Sequence, residues 1–155
     1  MIYTLTQISK SLASYLAPYF KDVTFYEDPI VQVENLPVMF LQTRSASIEK
    51  GTAGYYIWTL RLDLVYLLPM NGPELQRQYE TAAEILDIVM DHFPYIAPDE
   101  STAIVHAENR NWNIDLNELH YKFDIQTRVS KQDIGTLMQA LAQDVEVKDG
   151  QEKRA

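Results

Sequence analysis

The stretch Tyr55–Leu68 constrains the fold more than any other part of the chain. Its even positions, Tyr56, Trp58, Leu60, Leu62, Leu64, Tyr66 and Leu68, are all apolar, whereas Thr59, Arg61 and Asp63 interrupt the odd ones. Side chains alternate across a β-strand with period two, so this pattern predicts a strand with one fully buried face. A helix would scatter the same residues around its whole circumference. At fourteen residues the run is long against the usual strand of about 5–6, and it can serve as the central rail of a sheet.

A second alternating run follows late in the chain. Leu119, Tyr121, Phe123, Ile125, Thr127 and Val129 alternate with His120, Lys122, Asp124, Gln126 and Arg128, which reads as a strand with one face in the core and one in water. Between the two, Leu75, Tyr79, Ala82, Leu86, Val89 and Phe93 recur at helical spacing, with Pro73 at the start, Glu74 in the first turn and Pro94 as the stop. Near the N-terminus Ile2, Leu5, Ile8, Leu12, Tyr15, Leu16 and Tyr19 form a comparable stripe, ended by Pro18. Ser130 and Asp133 mark the start of a short last helix carrying Ile134, Leu137, Met138, Leu141 and Val145.

Shorter strands are predicted at Val23–Glu27, Val38–Thr43 and Thr102–Glu108. Asp28–Pro29 breaks the first, and Ile30–Leu36 reads as a connector because Pro37 forces an extended approach to the next strand. Asn109–Arg110–Asn111 reads as a turn before a further short strand at Trp112–Leu116. Arg44–Gly54, rich in Ser, Thr and Lys with two glycines, reads as a long mobile hairpin loop. The predicted order is α-β-β-β-α-β-β-α, with Trp112–Leu116 as an extra short strand. Strands cluster before and after a central helix, which predicts an α+β fold with a mostly antiparallel sheet and helices packed on one face. Residues 1–145 are expected to form one domain, and the polar residues 146–155 a disordered tail.

Composition removes several functional classes. With no cysteine among 155 residues, disulfides, thiol catalysis and cysteine-based metal sites are excluded. A formal net charge of −9 opposes dedicated nucleic-acid binding, which needs clustered Lys and Arg against phosphate. Arg44, Lys50 and Arg61 make only a small basic patch. No leader or membrane-spanning run is evident, so the expectation is an intracellular protein. Gly51 and Gly54 lack the Gly-Lys-Ser/Thr ending of a phosphate loop. Asp99 and Glu100 could pair for acid–base work but read better as solvated loop charge. His106, Glu108 and His120 offer a conceivable metal site, set against the simpler reading of residues on the wet faces of strands. The residues therefore predict no catalytic group, no cofactor and no metal.

The apolar surplus points elsewhere. Tyr55, Ile57, Val65 and Leu67 make the second face of the rail apolar at both ends, and a chain this short has few elements left to cover it. A partner subunit is the expected cover, and aromatic residues such as these are enriched at protein contacts. Trp112 sits near the second hairpin in the same way.

The layout from Met1 to about Val145 resembles that of tail-terminator proteins of long-tailed bacteriophages and related contractile-tail particles. The resemblance rests on the N-terminal helix, Val23–Asp28, the approach Leu36–Pro37–Val38–Met39–Phe40–Leu41, the loop Arg44–Gly54, the rail Tyr55–Leu68, the helix Glu74–Phe93 and the strand Tyr121–Val129. Tail-completion and head–tail joining proteins are similar. It implies a non-enzymatic virion protein of the tail, put together in the host cytoplasm. It further implies a homo-oligomeric ring, a hexamer, that caps the tail tube and joins it to the head. The partners implied are other copies of the chain, the tail tube protein and a head–tail connector protein, with DNA passing through the ring unbound and no membrane. The expected subunit interface comprises Arg44, Ser45, Ile48, Lys50, Tyr55, Ile57 and Trp112, on the rail's exposed edge and the adjoining loop. The alternatives are a cellular module that binds protein at a sheet edge, and a small metal-dependent enzyme.

Overall fold

The computed structural model describes residues 3–27, 36–70 and 74–130. In chain order the elements are α1 (Leu5–Leu16), β1 (Thr24–Tyr26), β2 (Val38–Lys50), β3 (Tyr55–Leu67), α2 (Leu75–Val89), β4 (His92–Ile96), β5 (Thr102–His106), β6 (Glu108–Asp115) and β7 (Glu118–Ser130). The expected last helix at Ile134–Val145, the polar tail, the break at Asp28–Pro29, most of the connector after it and the turn Asn71–Pro73 lie outside the described residues.

A five-stranded sheet of order β1-β2-β3-β7-β6 carries the α+β fold, and β4 and β5 form a separate antiparallel pair. The rail, β3, is central, as its length and alternation predict. β1 runs parallel to β2, pairing Thr24, Phe25 and Tyr26 with Val38, Met39 and Phe40, so the sheet is mixed. β6 and β7 are antiparallel around a two-residue turn at Leu116–Asn117, both with positive φ (51° and 60°). Two such residues give the turn whose twist matches that of paired strands.

By compactness the chain forms two units. The larger comprises Tyr3–Ser47 and Thr59–Gln126; the smaller includes Ile48–Trp58 and, among the described residues, 127–130. In the larger unit the core joins the rail's even face to the odd face of β7. Leu60, Leu62, Leu64 and Tyr66 are buried with Leu119, Tyr121, Phe123 and Ile125. Ile8, Leu12 and Leu16 bury one stripe of α1, and Tyr79, Ala82, Ala83, Leu86 and Val89 one stripe of α2. Edge-on aromatic pairs tie the layers together: Tyr66 with Tyr79 at 6.0 Å, and Phe93 with Phe123 at 6.4 Å. Val38–Leu41 and Leu62–Tyr66 are buried at every position, so the sheet is covered on both faces there. Alternation alone predicted one.

Several elements differ from the sequence expectation. α2 stops at Val89 rather than Phe93, because a proline at position 94 would clash with the carbonyl four residues earlier and keeps Phe93 out of the helical region. Phe93 is buried all the same, on β4. The C-terminal carbonyls of α2 find other donors: the Arg110 guanidinium bonds Asp87 O at 2.7 Å and the Tyr15 hydroxyl bonds Val89 O at 2.7 Å. Glu74 is not a first-turn acid but the N-cap, at φ 57° and without a side-chain cap bond. Asn109–Arg110–Asn111 is not a turn. It lies within β6, where the register shifts between Glu108 and Asn111 as in a β-bulge, with Asn109 at φ 51°.

The largest change concerns Arg44–Gly54. β2 continues to Lys50, so the connection to β3 is only residues 51–54. Its outer half, Arg44–Lys50, is exposed except at the half-buried Ser47. A strand that is wet on both faces carries no apolar alternation, and its composition is that of a loop.

Candidate assembly surface

The small unit holds four of the seven predicted interface residues: Ile48 and Lys50 on β2, and Tyr55 and Ile57 on β3. Gly51 N–H donates to Tyr55 O at 2.9 Å, and Tyr55 N–H to Thr52 O at 3.2 Å. Ala53 and Gly54 take the left-handed conformation that closes the turn (φ 57° and 76°). A side chain at position 51 would sit tightly against Tyr55 O, at 3.1 Å. Ile48, Tyr55 and Ile57 are 50%, 42% and 40% exposed, and Tyr56 and Trp58 are half-buried. The even face, predicted to be buried along its whole length, is therefore buried only from Leu60 onward.

On β7, Arg128 places its guanidinium 5.6 Å from the centre of the Tyr55 ring. At an exposed site such a cation–π contact contributes roughly 0.5–1 kcal/mol. It orients the ring without covering it. The result, among the described residues, is a cluster of aliphatic and aromatic side chains with the cations Lys50 and Arg128, which suits protein contact.

Arg44 and Ser45 lie in the larger unit and are exposed. The Arg61 guanidinium donates to Ser45 Oγ at 3.4 Å and Ser47 Oγ at 3.2 Å, laying a positive charge along β2. Trp112 stands on β6, at the opposite end of the sheet from β1, and is 37% exposed. The seven residues thus do not form one patch. The rail itself is flanked by β2 and β7; among the described residues the outermost strands are β1 and β6, and β2 is unpaired on its outer side beyond Phe40.

The residues considered for chemistry are dispersed. His106 lies on β5 opposite His92, with ring centres 6.1 Å apart. Glu108 stands on β6 and His120 on β7. Among the described residues no group of three or more His, Asp or Glu side chains is arranged to hold a metal ion. Asp99 makes a turn rather than a carboxylate pair. Hydrogen bonds from the Ser101 hydroxyl, and at 3.0 Å from its backbone N–H, hold the Asp99 carboxyl below the usual carboxylate range.

One polar network was not foreseen. Asp63 is buried on the rail and its Oδ2 lies 2.7 Å from His120 Nδ1 and accepts from Gln42 Nε2 at 3.2 Å; His120 Nε2 lies 3.1 Å from Glu118 Oε2. It joins side chains of three adjacent strands, β2, β3 and β7. The partners are 57 and 21 residues from Asp63, so no local spacing could have revealed it. The only available signal was the charge at Asp63, midway along an apolar strand.

A sequence-family profile described as phage tail terminator protein matches residues 7–136. This chain belongs to that family. No curated protein matches it. It is accordingly a structural protein of the phage tail, acting together with other tail components. The family points to a non-enzymatic role. Among the described residues no helix of this tail terminator is long and apolar enough to cross a membrane.

Proposed function

We propose that the chain closes into a ring of six that caps the completed tail tube, stops its growth and offers a surface to the head. The observation that carries this reading is the exposed cluster Ile48, Tyr55 and Ile57 in a member of the tail terminator family. Side chains of this kind gain by burial against another chain, at roughly 25 cal/mol per Å² of apolar surface. A subunit of a ring must meet its neighbours through two different patches related by a rotation that closes, and Arg44 and Trp112 mark separate surfaces on the larger unit. The net charge of −9 suits a channel through which DNA passes without being held. The partners are further copies of the chain, the tail tube protein and a head–tail connector protein, and assembly takes place in the host cytoplasm.

The test is a growth assay with purified tail tube protein. Added terminator should halt elongation, and electron microscopy should show a ring at one end of each tube. Tubes that elongate unchanged at a several-fold excess of terminator would contradict the proposal.

A further inference from the structure

We infer that neighbouring subunits join by sheet extension, the outer edge of β2 in one copy lying beside the outer edge of β6 in the next. This rests on the ring reading above. A head-to-tail ring needs two different patches, and the two ends of one open sheet supply them.

Both edges are available. β1 pairs with β2 only at Val38, Met39 and Phe40. From Leu41 to Ser47 the strand has β3 on one side and, among the described residues, no strand on the other. Among the described residues β6 is paired only to β7. Around the two-residue turn, Asp115 and Glu118 form the pair that exchanges backbone hydrogen bonds, as the geometry of such hairpins requires. The pattern alternates from there. Asn113 turns its N–H and C=O toward β7, and Trp112 and Ile114 turn theirs outward. Monomeric proteins guard such an edge with proline, lysine or a bulge. β6 contains neither residue, and its bulge lies at Glu108–Asn111, leaving Trp112–Asp115 regular.

Charge selects the partner edge. Along its unpaired part, Leu41–Lys50, β2 carries Arg44 and Lys50 against one acid, Glu49, and Arg61 adds a positive charge over Ser45 and Ser47. In a chain of net charge −9 this is a local reversal. β6 carries Glu108 and Asp115; its single cation, Arg110, is occupied by Asp87 O at 2.7 Å and by Asp91 at 3.6 Å. A basic edge faces an acidic one in β2–β6 pairing, whereas β2–β2 or β6–β6 pairing would oppose like charges.

The chain has no cysteine, so introduced thiols can be read without background. The double variant Thr43→Cys/Asn113→Cys is treated with a short bis-maleimide and run on a denaturing gel. Two strands lie between β2 and β6 within one chain, about 14 Å apart at the usual strand spacing, so a shorter reagent links only between chains. A ladder of linked chains from the double variant, with neither single variant linking, supports the inference. In parallel, Arg44→Glu should lower the assembled mass seen by light scattering, and adding Asp115→Lys to the same chain should restore it. Failure of that restoration, or linkage by one single variant alone, overturns edge pairing while the ring reading stands. An unmodified chain that stays monomeric, alone and with tail tube protein, overturns both.

Discussion

Replacing Tyr79 by Phe removes one oxygen atom from the centre of the larger unit and should be felt as lost stability. The Tyr79 ring is 1% exposed and packs edge-on to Tyr66 at 6.0 Å, contacts that phenylalanine keeps. The hydroxyl accepts from Leu68 N–H at 2.9 Å and donates to Asn117 O at 2.7 Å. Through it α2 fixes both the end of β3 and the β6–β7 turn. After the change Asn117, which is exposed, can turn its carbonyl to water. Leu68 is only 7% exposed, so its N–H loses its acceptor inside the protein. A buried donor left unpaired costs about 1–3 kcal/mol. For a chain of this size each kcal/mol lowers the unfolding midpoint by about 2–4 °C, so the expected fall is about 2–12 °C. Urea titration followed by circular dichroism should give the same loss with an unchanged slope. A difference within about 0.5 kcal/mol, the range of substitutions that remove nothing, would refute the assignment of this hydroxyl as the tie between helix and sheet.

Three further outcomes are expected. Leu62, fully buried on the even face of the rail, should cost about 2–5 kcal/mol as Leu62→Ala, and Leu62→Asp should abolish soluble folding by burying an unpaired charge; expression and urea titration check both. Tyr55→Ser with Ile57→Ser should lower stability by urea titration only by roughly the 0.5–1 kcal/mol of the lost Arg128 contact but should lower the assembled mass by light scattering, because both side chains are exposed in the single chain. Burial holds the Tyr66 hydroxyl protonated, with its pKa pushed from 10.0 to about 12, and burial also raises Tyr79 and Tyr121. A folded pKa above the unfolded one means that this stabilisation is complete below about pH 10. For Tyr66 it is lost as pH climbs from there to about 12, with a cost on the order of 2–3 kcal/mol, so phenolate absorbance should show a late phase that coincides with unfolding.

Elements that bury one face were legible in the sequence. β3 and β7 alternate because each keeps one face wholly apolar against the core, though β3 is covered on both faces over Leu62–Tyr66, and α1 and α2 repeat at three and four because each buries one stripe. The parts that escaped notice lack that asymmetry. Arg44–Lys50 is wet on both faces and so reads as a loop, although pairing with β3 makes it a strand. Phe93 falls at helical spacing yet belongs to β4, because burial alone does not distinguish one buried element from the next. The bulge at Glu108–Asn111 depends on register with β7, which composition does not encode. Of the apolar residues read as beyond the needs of a thin core, Tyr55 and Ile57 are exposed, whereas Val65 is buried within the chain. The separation of Arg44 from Trp112 was not recognisable, since it follows from strand order.

The mass of the purified protein in solution, followed by light scattering over a wide range of concentration and with tail tube protein present, tests the ring most directly. The account predicts a discrete species near six times the 17.9 kDa of one chain. A single-chain mass at every concentration, unchanged by the tube, would contradict it.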